Sequence, residues 1–326
     1  MLFSLSDETP EVREEIELKW AEAGELYYME NQTELQNLSL IDKDLPNYPI
    51  NIKRPTIGCR ALVRKSLKVL DIVLHELEDW KDEVRLHSAK LLRQIVIHSE
   101  DYLATKYYDI NAVLCKTCED HESPVAKEAL EVAKLIGYFV DQKTWSKYIF
   151  AELHLRQQKY GIVRCLKTLY QSSYDEDKFK NLEEATELLL DTGVCHSSFE
   201  KFQLELLELI ETLIPGMSGS SDQIEENLYV VTLKSTAVSF DNELVRDAGE
   251  RILLKLVEAN PALKDLSALH GKYVKKALTS LDALDKENDE GFEQILILHG
   301  IICLCGFQVT QFYSKASSFY FVKFLK

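Results

Sequence analysis

Few residues in this chain have the type and spacing that chemistry needs. The phrase "CKTCEDH" sets Cys115, Cys118 and His121 at C-x-x-C-x-x-H spacing, which is half of a zinc site. A structural zinc takes four ligands in a tetrahedron, and no second Cys/His pair stands nearby. Helical spacing puts Cys115 and Cys118 on one apolar face, where free thiols pack as small hydrophobes. Cys303 and Cys305, with His299 four residues before Cys303, read the same way. Cys59, Cys165 and Cys195 have no base near them in sequence and read as core thiols rather than nucleophiles. The carboxylate pairs Glu183-Glu184 and Glu225-Glu226 read as solvated helix faces, and the pairs Tyr27-Tyr28 and Tyr107-Tyr108 as edges of a core. No G-x-G-x-x-G, G-x-x-x-x-G-K-[ST] or H-E-x-x-H phrase occurs, so phosphate cradles and zincin sites lack their marks. The expectation is a protein without catalytic residues, cofactor or metal.

The elements that would carry any binding surface are helical. Of 326 residues, 46% are hydrophobic and 28% charged, and only 12 Gly and 7 Pro break the chain, which favours long helices over short strands. With 38 Lys+Arg against 54 Asp+Glu the formal charge is -16, a field that repels nucleic acid and anionic membrane and suits partners with basic patches. The most apolar run, "ILILHGIICLCGF" at 295–307, is shorter than the roughly 20 residues of a spanning helix. The start has no basic n-region with an apolar stretch behind it. Seven scattered cysteines fit reduced thiols. Together these predict a soluble, cytoplasmic protein.

A phrase recurs along the chain. "DETPEVREEI" begins at 7, "DWKDEVRLHSA" at 79, "DHESPVAKEA" at 120 and "DNELVRDAG" at 241, each with an acid five or six residues before an Arg position. This gives a ladder of Asp7 and Arg13, Asp79 and Arg85, Asp120 opposite Ala126, and Asp241 and Arg246. The Val before the Arg position falls at 84, 125, 163 and 245, so the intervals are 41, 38 and 82. That is the period of HEAT or armadillo units, about 40 to 47 residues of paired helices. The acid is placed to accept a backbone N–H at the start of the second helix and to pair with the arginine of its own repeat or of a neighbour. Small residues at Ser88, Ala89, Ala129, Ala248 and Gly249 let helices approach, and apolar stripes such as Leu91, Leu92, Ile95 and Val96 are buried only when units stack.

The pattern predicts an all-α superhelix, a HEAT/armadillo-like solenoid of about seven helical hairpins over residues 1–305. Second helices are expected near 11–26, 82–98, 123–138, 158–170, 199–214, 243–258 and 289–304. First helices are expected near 59–77, 103–118, 144–154, 177–190, 222–238 and 266–283. Residues 28–57, rich in Asn, Asp and Pro, read as a loop inserted between repeats. "PGMSGSSD" at 215–222 reads as a shorter flexible loop. Residues 306–326 abandon the repeat as an atypical tail, and neither end reads as a polar cap, which suggests a fragment or a truncated product.

Residues 54–101 are more specific than a generic repeat. Gly58-Cys59-Arg60, Leu77-x-x-Trp80 with Asp79, Val84-Arg85, Ser88-Ala89-x-Leu91-Leu92 and His98-Ser99-Glu100-Asp101 together resemble the HEAT-repeat type of dynein axonemal assembly factor, and "AKLIGYFV" at 133–140 resembles that family's next unit. The resemblance covers 54–140 and follows repeat spacing to about 304. It implies a cytoplasmic scaffold that preassembles outer and inner dynein arms, acting with chaperones and other assembly factors and contacting dynein intermediate and heavy chains. No catalytic residues are implied. The alternative reading is a HEAT-type transport receptor or adaptor for basic cargo.

Overall fold

The computed structural model describes residues 1–36, 45, 48–49, 51–155, 159–173, 178–197, 199–217, 221–239, 241–279 and 290–305. These form α1 (Pro10–Glu30), α2 (Gln32–Gln36), α3 (Ile57–Lys65), α4 (Val69–Glu76), α5 (Asp82–Ser99), α6 (Tyr107–Thr117), α7 (Ser123–Phe139) and α8 (Gln142–Leu155). They continue with α9 (Tyr160–Ser172), α10 (Leu182–Leu190), α11 (Thr192–Cys195), α12 (Glu200–Leu213), α13 (Asp222–Val238), α14 (Glu243–Ala259), α15 (Leu266–Thr279) and α16 (Glu290–Cys305). Among the described residues there is no strand. The fold is all-α, of the HEAT-repeat solenoid class.

Helix starts follow local chemistry. Pro10 and Pro124 lie in the first turns of α1 and α7, where the missing N–H costs nothing. Thr56 Oγ1 accepts from Cys59 N before α3, and Asn242 Oδ1 accepts from Leu244 N and Val245 N before α14. The expected first helix at 59–77 is two helices, broken at a turn that buries Leu67. Of the expected insertion at 28–57, α1 runs to Glu30 and α2 takes 32–36, while most of 37–50 lies outside the described residues. The expected tail at 306–326 lies outside them entirely.

Two compact units divide the chain, Met1–Glu152 with Arg164–Lys178, and Leu153–Val163 with the described residues from Phe179 onward. In the first, α5 packs against α3 and α4 before it and α7 after it. Leu92, Ile95, Val96, Val132 and Ile136 are buried in this stack. Each fully buried Leu or Ile side chain stabilises by about 1.5–3 kcal/mol relative to exposure. Helix α1 crosses α3 at Gly24 and Gly58: a Cβ on Gly58 would overlap the Gly24 carbonyl oxygen, so only bare backbones permit the contact.

In the second unit α12 packs on α14, and α13 lies between α10 and α16. The sequence places 289–304 as a second helix, which would continue the row of α12 and α14. Instead α16 lies mainly along α13, in the row of first helices. Gly300 is the cause, since a Cβ there would overlap the Leu233 carbonyl oxygen, and its absence admits α13. Among the small residues, Ala89, Ala129 and Ala248 are buried as expected, whereas Ser88 hydrogen-bonds Glu76 on α4 at 2.7 Å and Gly249 meets Thr236 on α13. Those two serve approach within a pair.

Candidate functional site

The turn between α4 and α5 and the turn between α6 and α7 frame an open pocket of about 370 Å³, lined by Trp80, Glu78, Arg85, Lys116, Asp120 and His121 among others. Its floor holds Arg85 and Asp120, two of the residues that the sequence singles out. Arg85 Nε donates to Asp120 Oδ2 at 2.6 Å and its Nη2 to Asp120 Oδ1 at 3.0 Å, while Nη1 donates to the carbonyls of Asp79 at 3.0 Å and Trp80 at 3.1 Å. Asp120 also accepts from Glu122 N at 2.9 Å, starting α7. Ala126 supplies no guanidinium to its own repeat, so the arginine of the preceding pair serves Asp120. Burial pushes the Asp120 carboxyl up, but the hydrogen bonds from Arg85 and from Glu122 N, with the Arg85 charge, hold it below the usual carboxylate range.

Elsewhere the ladder is partial. Asp7 Oδ1 accepts from Thr9 N at 2.9 Å and the Asp7 carbonyl from Arg13 Nη1 at 3.4 Å, both exposed. Asp79 Oδ1 accepts from Lys81 N at 2.8 Å. Arg164 reaches back to the Cys118 carbonyl at 2.5 Å. Asp241 and Arg246 are not joined: Asp241 is exposed, and the neighbouring Asn242 takes the capping role, its Oδ1 accepting two N–H groups.

The half-site of Cys115, Cys118 and His121 does not converge. Both cysteines are buried, and the His121 side chain is 81% exposed. Cys165 packs with Cys115 and Cys118, and hydrogen bonding among the three, with burial, holds its thiol well above the ordinary range. Among the described residues no group of three or more His, Cys, Asp or Glu is placed to hold a metal ion, and no helix is long and apolar enough to cross a membrane. Glu225 corrects an expectation. It is buried, not solvated, because Asn260 Nδ2 donates to it at 2.5 Å and Lys272 pairs with it at 3.3 Å. Tyr107 is buried, and Tyr108 is 71% exposed.

Sequence reasoning missed a second charge cluster. Glu100 ends α5 at φ 51° and ψ -132° with a buried side chain. Arg54 donates to it at 2.8 and 3.0 Å and Arg60 at 2.9 Å, while Arg64 lies 3.7 Å away and donates to Asp101 at 3.2 Å. Beside the cluster a cavity of about 350 Å³ is lined by Trp20, Arg54, Cys59, Arg93, Gln94 and His98, among others. His98 Nδ1 donates to the Gln94 carbonyl at 2.7 Å, which fixes Nε2 as acceptor of the Trp20 indole N–H at 2.9 Å. Burial pushes His98 down to about 4. Only the Gly58-Cys59-Arg60 and His98-Ser99-Glu100-Asp101 phrases marked this region in the sequence.

Comparison with known proteins follows the same residues. The family described as "Dynein axonemal assembly factor 5, HEAT-repeat domain" matches residues 46–239, which include the Glu100 cluster and the Trp80 pocket. The chain is 32% identical over 318 residues to Dynein axonemal assembly factor 5 of Drosophila melanogaster, covering 95% of this chain and 37% of that protein. The mouse protein of that name is 29% identical over 287 residues, 86% of this chain and 33% of the relative. The human one is 28% identical over 275 residues, 83% and 32%. The chain thus spans about a third of the length of the curated relatives it matches. No solved structure matches it. With helical pairs stacked at HEAT spacing and the family match running through more than half of its length, this chain belongs to the dynein axonemal assembly factor 5 family.

Proposed function

We propose that this chain is a non-enzymatic scaffold for the cytoplasmic preassembly of axonemal dynein arms. It holds dynein intermediate and heavy chains while chaperones and other assembly factors act on them. The observation that carries this is the likeness, along 95% of the chain, to a protein named Dynein axonemal assembly factor 5. The surface is in keeping with it. Within each unit, stacked helical pairs present ridges of turns, and such ridges hold a large client through many weak contacts. The charge of -16 keeps such a scaffold dispersed and favours basic client surfaces. The test is affinity capture with the tagged chain from cytosol of ciliated cells. Recovery of dynein heavy and intermediate chains is expected; their absence, with the bait intact, ends this reading.

A further inference from the structure

The indole of Trp80 is 83% exposed, the most exposed of the large hydrophobic side chains among the described residues. A solvent-facing tryptophan at the rim of a pocket is unusual, because indoles dominate burial in cores and interfaces. This one is not on a loose loop. The Trp80 carbonyl accepts from Arg85, the Asp79 carboxylate accepts from Lys81 N, and the Arg85–Asp120 pair ties its turn to the next. The backbone that carries the ring is therefore held in place before any partner arrives, which removes part of the ordering cost from binding.

The chemistry around the ring is acidic. Arg85 and Asp120 neutralise each other in the floor. The two turns and the helix starts behind them carry Glu78, Asp82, Glu83, Glu119 and Glu122 against Lys81 and Lys116, and with Glu78 paired to Lys116 Nζ at 2.8 Å the acids remain in excess. Lys81 Nζ already sits 5.1 Å from the Trp80 ring centre, so a cation rests on this indole within the chain itself.

We propose that the pocket beside Trp80 is a docking site for a basic segment of a partner protein, with an arginine side chain stacked on the indole and Glu78 and Glu119 flanking its charge. This rests on the scaffold reading only for which client carries the segment, not for the chemistry of the surface. A guanidinium suits the place better than an ammonium, since it is planar, stacks on aromatic faces and is weakly hydrated.

The experiment titrates the whole purified chain with a fluorescein-labelled peptide of arginines spaced by glycine and serine, and with a matched glutamate peptide. The arginine peptide is expected to bind, more weakly as salt rises, and to shield tryptophan emission from iodide. Trp80→Ala should weaken it about 10-fold, and Glu78→Gln with Glu119→Gln should weaken it and flatten the salt dependence. Circular dichroism and thermal melting establish that each variant is folded. Equal binding by wild type and folded Trp80→Ala, or by the glutamate peptide, overturns the proposal. The cytosolic capture experiment separates the two readings. If the arginine peptide needs Trp80 but the wild type recovers no dynein chains, the docking site stands and the scaffold reading falls. If dynein chains are recovered but Trp80→Ala leaves peptide binding unchanged, the reverse holds.

Discussion

Arg85 answers four acceptors with one guanidinium, two carbonyls of its own turn and both oxygens of Asp120. A lysine cannot reproduce that fork. Arg85→Ala leaves a largely buried carboxylate without its countercharge and should lower unfolding free energy by about 3 kcal/mol, read from urea denaturation. Glu100→Gln removes the negative charge that Arg60, whose side chain is 3% exposed, faces, and should cost about 3–5 kcal/mol by the same measurement. The titrations follow from burial and pairing. Asp120 titrates lower in the folded chain than in the unfolded one, so the stability it adds is complete above about pH 4 and is lost as pH falls further. His98 is also lower when folded, about 4 against an ordinary value near 6.5. The unfolded chain therefore binds that proton first, and stability falls with pH through this window by at most about 1.4 kcal/mol per pH unit. Denaturation midpoints at pH 7, 6 and 5 should show this slope in the wild type and a shallower one in His98→Gln.

Between elements, bare backbone decides which helices touch. Gly58→Ala must push α1 away from α3 and should destabilise by about 1–3 kcal/mol, with amide exchange in α1 quickening before that in α5. Helix positions were legible in the sequence because apolar periodicity and the acid before each Val-Arg position agree. The sequence left open whether Asp120 pairs within its own repeat or with a neighbour, and the structure gives it Arg85. What stayed hidden is long-range. Glu100 meets Arg54 and Arg60 across 46 and 40 residues, and no local pattern announces that meeting. The row in which α16 lies is set by Gly300 against Leu233, a contact that periodicity does not encode. Asn242 displaced Asp241 because both are capping residues and one step along the turn separates them.

For the molecule as a whole, two compact units with buried residues of their own imply that unfolding is not a single event. Calorimetry should resolve more than one transition, and Gly58→Ala should move the one that belongs to the first unit while leaving the other in place. A single transition shifted as a block by that substitution would show that the units melt together.

The Arg85–Asp120 bond crosses from one hairpin to the next, so the fitness of each residue depends on a partner 35 positions away. Mutation at either site alone isolates a charge, whereas exchange of both for a matched apolar couple leaves none. Lineages carrying this protein should therefore change positions 85 and 120 in concert or leave both alone, and that correlated drift would record the hairpin order in the genome.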